Sequence, residues 1–212
     1  MKHIPHVVVG APWEGSWLSL SISQWRHLTK VLRMNRGDVI TYTDGLGTVG
    51  TGRLGSQTVD RGEESKRERP TRLTVAVAPP SSKDRQRFLV EKLAELGVAR
   101  LVWLKTLHGK NRVAHPTKVF SWILAAVEQS QGAWLMEVSP DLVELSDIEG
   151  KMVVCQPGGA TGPISADVVV IGPEGGFADD ELPTDIPRWD LGPNVLRVET
   201  AALVAAARIT AR

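Results

Sequence analysis

Apolar and polar positions alternate in short runs over residues 1–57, and the period then changes. Val39-Ile40-Thr41-Tyr42 and Thr48-Val49-Gly50-Thr51 flank Asp44-Gly45-Leu46-Gly47. Strand formers on both sides of a glycine-containing turn predict a β-hairpin. Ser23 precedes a segment from Gln24 to Leu32 in which Leu28, Val31 and Leu32 share a helical face, which predicts an N-cap and a short helix. The region reads as a small β-barrel with one helix. Residues 58–72 then hold nine charged side chains of mixed sign and few apolar ones, the composition of an exposed loop or linker.

Strands and helices alternate beyond this stretch. Leu73 to Ala78 predicts a strand. Lys83 to Leu96 predicts a helix with Leu89, Leu93 and Leu96 on one face and Gly97 at its end. Arg100 to Leu104 predicts the next strand, and after Pro116 the positions Val119, Trp122, Ile123, Ala126 and Val127 follow the helical template throughout. Met152 to Cys155 and Asp167 to Ile171 are further apolar runs, and an alanine-rich helix is predicted from about Glu199 to Arg212. This alternation predicts an α/β fold whose parallel sheet is covered on both faces. The expected division is residues 1–70 and 71–212.

Charge adds a direction to this plan. Residues 1–70 carry ten basic and seven acidic side chains, residues 83–118 nine basic and three acidic, and residues 119–212 five basic and fourteen acidic. A polyanion is drawn to the first two regions, although uneven solvated surfaces account for the same numbers. Cys155 is the only cysteine, so no intrachain disulfide forms, and the five histidines lack the spacing of a zinc site. No apolar run approaches membrane-spanning length, and the N-terminus lacks the apolar stretch of a signal peptide, so a cytoplasmic location is expected.

Two segments stand out as chemistry. The apolar run Val168 to Ile171 stops in Gly172-Pro173-Glu174-Gly175-Gly176, and Trp189-Asp190-Leu191 stops in Gly192-Pro193, followed by Leu196-Arg197-Val198-Glu199-Thr200. Ligands bind beyond the carboxyl ends of strands in open α/β sheets, and glycines there admit a ligand close to the backbone. The first segment reads equally as a plain tight turn before a helix near Ala178-Asp179-Asp180-Glu181. In the second, Thr200 or Glu199 reads as a helix cap and Arg197–Glu199 as a structural ion pair. The glycine turn lacks the Lys-Ser/Thr of a P-loop.

Together these segments closely resemble the 16S ribosomal RNA uridine-N3 methyltransferase family of the SPOUT superfamily. Matches elsewhere extend the resemblance over nearly the whole chain: Arg26 to Arg33 with Gly37-Asp38, Lys83 to Arg87 with Glu95-Leu96-Gly97-Val98, and Ser121-Trp122 with Glu128-Gln129-Ser130. The resemblance implies a PUA-like β-barrel RNA-binding domain followed by a SPOUT domain tied in a trefoil knot, a homodimer, and S-adenosylmethionine as cofactor. It places the cofactor against three loops: Cys155, Gln156 and Pro157; Gly172, Pro173, Glu174, Gly175 and Gly176; and Leu191, Gly192, Leu196 and Thr200. It implies methylation of uridine N3 in 16S ribosomal RNA or the small subunit, with Glu199 and Arg197 as the catalytic pair and Glu174 as a second candidate base. RNA docking falls to Arg26, His27, Lys30 and Arg33, extended by Lys83 and Arg87, with Arg85 between them.

The chain departs from the family pattern where Gly132 and Asn194 replace arginines, where Val198 replaces threonine, and near the N-terminus, where His3 and His6 stand in place of an arginine. These changes bear on RNA affinity and target more than on the cofactor. Other readings therefore stay open: a SPOUT protein that modifies another RNA, one that has lost catalysis, or an RNA-binding module.

Overall fold

The computed structural model describes residues 4–210; His3 and Arg212 lie outside that range. The chain forms two compact units. One runs to Arg69 and takes in Leu124–Leu135; the other comprises Pro70–Ile123 and continues from Met136.

The first unit is built on a five-stranded sheet of β1 (His6–Val8), β2 (Trp17–Ser19), β3 (Val39–Thr43), β4 (Thr48–Leu54) and β5 (Thr58–Lys66), in the order β1-β3-β4-β5-β2. Strands β3 and β4 form the expected hairpin, and Asp44 Oδ1 closes its turn by accepting from the backbone N–H groups of Leu46 and Thr48 at 2.7 and 2.9 Å. Leu18, Leu28, Ile40, Tyr42, Leu54 and Val59 form the core.

Two sequence expectations are corrected here. Most of the charged stretch 58–72 is strand β5, which pairs with β4 and β2 through its backbone; Asp60, Glu63 and Lys66 are exposed, Arg61 and Glu64 pair with each other, and Val59 enters the core. Ladder hydrogen bonds belong to the main chain, so side-chain charge does not forbid them. The short helix begins earlier than expected: Ser21, not Ser23, is the N-cap, in a capping box with Gln24. Helix α1 (Ile22–Arg26) then runs into a π-turn over His27–Val31, closed by Leu32 N–H on the His27 carbonyl at 3.0 Å. The wider turn rotates later side chains off the buried face. Leu28 is buried, but Val31 and Leu32 are exposed.

His6 is buried, with Nδ1 2.9 Å from Thr41 Oγ1 and Nε2 3.0 Å from the Gly132 carbonyl. Burial lowers its pKa, against the opposing pull of the Gly132 carbonyl and with help from nearby Arg67. The folded state therefore holds the neutral ring, and the unfolded state binds the extra proton. Stability should fall as pH drops below about 6.5 toward the lower folded value. Urea denaturation at pH 7.5 and 5.5 should show this loss in the wild type and a smaller one in His6→Gln; an equal loss in both would remove His6 as its source.

The second unit carries the sheet β6 (Thr74–Val77), β7 (Arg100–Leu104), β8 (Glu137–Val143), β9 (Met152–Ala160), β10 (Val168–Ile171) and β11 (Arg188–Trp189), in the order β11-β9-β10-β6-β7-β8. Every described pairing is parallel, as the alternation predicts. β10 is buried at every position, which explains its uninterrupted apolar run. Helix α2 (Lys83–Glu95) starts on an N-cap at Ser82 and ends where Gly97 takes the left-handed conformation at φ 73°. Helix α3 (Pro116–Ser130) buries all five positions of its template. Helix α4 (Val198–Thr210) packs on α2, β10 and β6, with Ala201, Ala202, Ala205 and Ala206 buried. The helix expected near Ala178 is absent. Glu181 instead clips a turn there, accepting from the N–H groups of Ala178 and Leu107, and Pro183 follows too soon for a helix to propagate. No helix of the described residues is long and apolar enough to cross a membrane.

Candidate active site

Register brings the carboxyl ends of three strands together. Cys155, within β9 where its pairing with β11 shifts register, lies beside Ile171, the last residue of β10, and β11 pairs with β9 on the other side. Beyond them opens a cavity of about 430 Å³, within the range of small-ligand pockets of roughly 300–1,000 Å³. Of the expected cofactor residues, Cys155, Gln156, Pro157, Gly172, Pro173, Glu174, Gly176, Leu191 and Leu196 line it, whereas Gly175, Gly192 and Thr200 do not. Asn194 and Val198, two of the departures from the family pattern, line it as well.

Each wall has a local cause. Gly176 N–H donates to the Pro173 carbonyl at 2.9 Å, which closes the glycine turn. A Cβ on Gly172 would lie 2.6 Å from the Phe177 ring, so only glycine lets that ring cover the turn. Asp190 ties two walls together by accepting from Gly158 N–H at 2.8 Å and Gly192 N–H at 2.9 Å. Those two bonds, Gly192's first, hold its carboxyl below the usual carboxylate range. Beneath it, the buried Trp189 indole donates to the Gly162 carbonyl at 3.0 Å. Burial pushes the Cys155 thiol up to about 12, so it lines the cavity as a neutral group and not as a nucleophile.

The carboxylates are arranged differently from the expected Arg197–Glu199 pair. Arg197 is exposed. Glu199 is buried at the first turn of α4, and its partner is Arg85 of α2: Nε donates to Oε1 at 2.9 Å and Nη2 to Oε2 at 2.5 Å. Arg85 Nη1 reaches Glu174 Oε1 at 2.6 Å. Burial alone would raise the Glu199 carboxyl, but the Arg85 hydrogen bonds outweigh it and hold the group low. The same bonds hold the Arg85 guanidinium above its ordinary value. Glu199 is not part of the cavity wall; Glu174 is.

A family described as "RNA methyltransferase domain" matches residues 67–210. The chain belongs to this RNA methyltransferase family. Among relatives, the methyltransferase is 26% identical over 224 residues to a Synechocystis protein named ribosomal RNA small subunit methyltransferase E, covering 92% of this chain and 73% of that one. It is 25% identical to the ribosomal RNA small subunit methyltransferase E of Neisseria gonorrhoeae, whose structure contains S-adenosyl methionine, with a TM-score of 0.84 over 97% of this chain and 96% of that one. A Legionella pneumophila chain with bound SAM shares the fold at 24% identity and a TM-score of 0.84, covering 99% of this chain and 98% of that one. These likenesses bear out the ribosomal RNA methyltransferase resemblance read from the motifs.

The basic side chains expected to meet RNA are distributed over both units of the methyltransferase. Arg26, His27, Lys30 and Arg33 are exposed on the first, and Lys83 and Arg87 on the second, where Arg87 is paired with Glu91 at 2.7 Å. The sequence reading missed Lys118, whose nearness lowers the Lys83 ammonium's pKa and marks a spot where positive charge crowds. It also missed Asp190, which only the register of β11 against β9 brings to the cavity. Arg85 was legible as a cation but not as the partner of two carboxylates far along the chain. Among the described residues no group of three or more His, Cys, Asp or Glu side chains could hold a metal ion.

Proposed function

We propose that this methyltransferase uses S-adenosylmethionine to methylate N3 of a uridine in 16S ribosomal RNA of the small subunit. The observation that carries the reading is the cavity at the carboxyl ends of β9, β10 and β11, walled by the three loops that the motifs single out. Its lining fits the cofactor: Ile171, Phe177, Leu182 and Leu196 offer apolar surface to an aromatic base, while Glu174, Asp179 and Asp190 outnumber the one cation, Arg188. That balance suits a ligand bearing a positive sulfonium and opposes a phosphate. When bound, S-adenosylmethionine supplies an electrophilic methyl carbon on positively charged sulfur. The proposed cofactor contacts are the lining residues of the three loops, Cys155 to Pro157, Gly172 to Glu174 with Gly176, and Leu191 with Asn194 to Leu196; Gly175, Gly192 and Thr200, which the motifs also single out, lie outside the lining.

The chain's remaining task is to deprotonate N3 and support the resulting anion. N3 lies on the pairing edge of uracil, so the base must be unpaired or extruded. A carboxylate accepts the proton and a cation stabilises the charge left on the ring. Glu199, Glu174 and Arg197 are the candidates for these roles. Arg26, His27, Lys30 and Arg33, together with Lys83 and Arg87, are proposed to hold RNA phosphates, which makes affinity salt-dependent. The same reading takes the first unit as a PUA-like barrel and the second as a trefoil knot. It is supported by the strand order and by α4 returning against β10, β6 and α2. It also takes the active form as a cytoplasmic homodimer.

One observation favours a second reading, a divergent target. Two of the three places where the chain lost a family arginine meet in space, since neutral His6 contacts the Gly132 carbonyl. Mass spectrometry of small-subunit ribosomal RNA nucleosides from cells with and without the gene separates the two. The proposed function expects 3-methyluridine to vanish without the gene. An unchanged level, with cofactor binding by calorimetry intact, would establish another target or lost catalysis.

A further inference from the structure

We infer that Arg85 is a positioning residue whose guanidinium, anchored on buried Glu199, holds the Glu174 carboxylate at the cavity wall, and that Glu174 is the catalytic base; this rests on the function proposed above. The three groups come from three elements of the second unit: Arg85 from α2, Glu174 from the turn after β10, and Glu199 from α4.

The two carboxylates are unequal. Both oxygens of Glu199 are engaged by the Arg85 fork, the residue is 7% exposed, and it does not line the cavity. A doubly bonded, charge-paired and buried carboxylate has neither the access nor the basicity to take a proton from substrate. Glu174 lines the cavity, its side chain is 49% exposed, and it spends one oxygen on Arg85. Its other oxygen, Oε2, has no hydrogen bond among the described residues. Glu174 also sits in a turn with glycine at 172, 175 and 176, which cannot by itself fix a side chain. Arg85 stands in the first turn of a capped helix, its N–H bonded to Ser82 Oγ at 3.2 Å, and so brings rigidity that the turn lacks. A bidentate fork is the geometry that transmits such an orientation.

In the reaction, the uridine N3–H bond breaks and leaves its electron pair on nitrogen, where the bond to the methyl carbon forms. The C–S electron pair stays on sulfur. The proton passes to Glu174 Oε2 and from there to water.

Glu174→Gln, Glu199→Gln, Arg85→Gln, Arg85→Lys and the double variant Arg85→Gln/Glu174→Gln test this by single-turnover methylation of ribosomal RNA, calorimetry with S-adenosylmethionine, and thermal melting. At saturating S-adenosylmethionine, Glu174→Gln should lower turnover by about 10²–10⁴-fold, the usual contribution of general acid–base catalysis, with little change in melting temperature and a loss of cofactor affinity too small to account for the drop. Arg85→Gln should lower kcat more than it raises KM, and Arg85→Lys should restore part of kcat. Arg85→Gln should add no further loss to Glu174→Gln, because the two act as one unit. Glu199→Gln should lower the melting temperature yet cost less turnover than Glu174→Gln. Full turnover by Glu174→Gln, or additive losses in the double variant, would overturn the inference while leaving the function standing. A folded wild type that transfers no methyl group and binds no cofactor would overturn both.

Discussion

Arg85→Met should lower the stability of the second unit by about 3 kcal/mol at pH 7, the lower end of what breaking a buried ion pair costs. The lower end applies because the Arg85 side chain is 24% exposed while that of Glu199 is 9% exposed. Methionine fills much of the same space, so the loss isolates an unpaired buried carboxylate rather than a void. The pH dependence gives the sign. In the wild type the folded Glu199 carboxyl is held low, despite burial, by its Arg85 bonds. The pair's stabilisation is therefore complete above about pH 4.3, the unfolded value, and is lost as pH falls through the lower folded one. In Arg85→Met burial, the largest influence on Glu199, is opposed only by its helix-start N–H and by Arg197, so the carboxyl rises from its wild-type value and acid restores the variant by neutralising it. The gap between wild type and variant should thus narrow as pH falls from 7 toward 4, and Arg85→Met/Glu199→Leu should recover most of the loss. Denaturant titrations across that range decide it; a gap that widens in acid would refute the account.

Trp189→Ala should cost about 3–5 kcal/mol, the range for deleting a large buried aromatic. The residue is 1% exposed, its indole N–H is bonded to the Gly162 carbonyl, and Arg208 stacks over its ring at 5.8 Å from the centroid. Arg208 also donates to the Leu191 carbonyl at 3.0 Å. The ring thus supports β11, the Asp190 clip and the Leu191 wall together. Trp189→Ala should weaken S-adenosylmethionine binding through these walls even at temperatures where the protein remains folded. Trp189→Phe keeps most of the apolar area and gives up the hydrogen bond, so it should cost about 1–2 kcal/mol. Calorimetry and denaturation on the two variants test both effects. Cofactor affinity unchanged in folded Trp189→Ala would show that the walls stand without the ring.

The signals legible in the sequence were local ones. Val168 to Ile171 reads as a buried parallel strand because every side chain meets a covering layer, and the glycine–proline segments after Ile171 and Leu191 mark where such strands stop. Val119, Trp122, Ile123, Ala126 and Val127 announce a helix because its period is written within a dozen residues. The same locality explains the misreadings. β5 is held by its neighbours' backbones, which its charged side chains do not report. The π-turn at His27–Val31 shifts a face that regular periodicity had placed inward, and the turn at Ala178 is settled by Glu181 and Pro183.

The sequence by itself determined the parallel α/β plan, the strand ends that carry the cavity, and the family to which the chain belongs. Each is encoded in contiguous residues whose spacing mirrors backbone geometry. Only the tertiary structure decided which charges meet. Arg85 lies 114 residues from Glu199 and 89 from Glu174, and His6 lies 126 residues from Gly132. No local period links such positions, because strand order and helix docking bring them together after the chain has folded. The roles of the two carboxylates follow from that packing: Glu199 is an anchor because α4 buries it against α2, and Glu174 faces the cavity because β10 ends there.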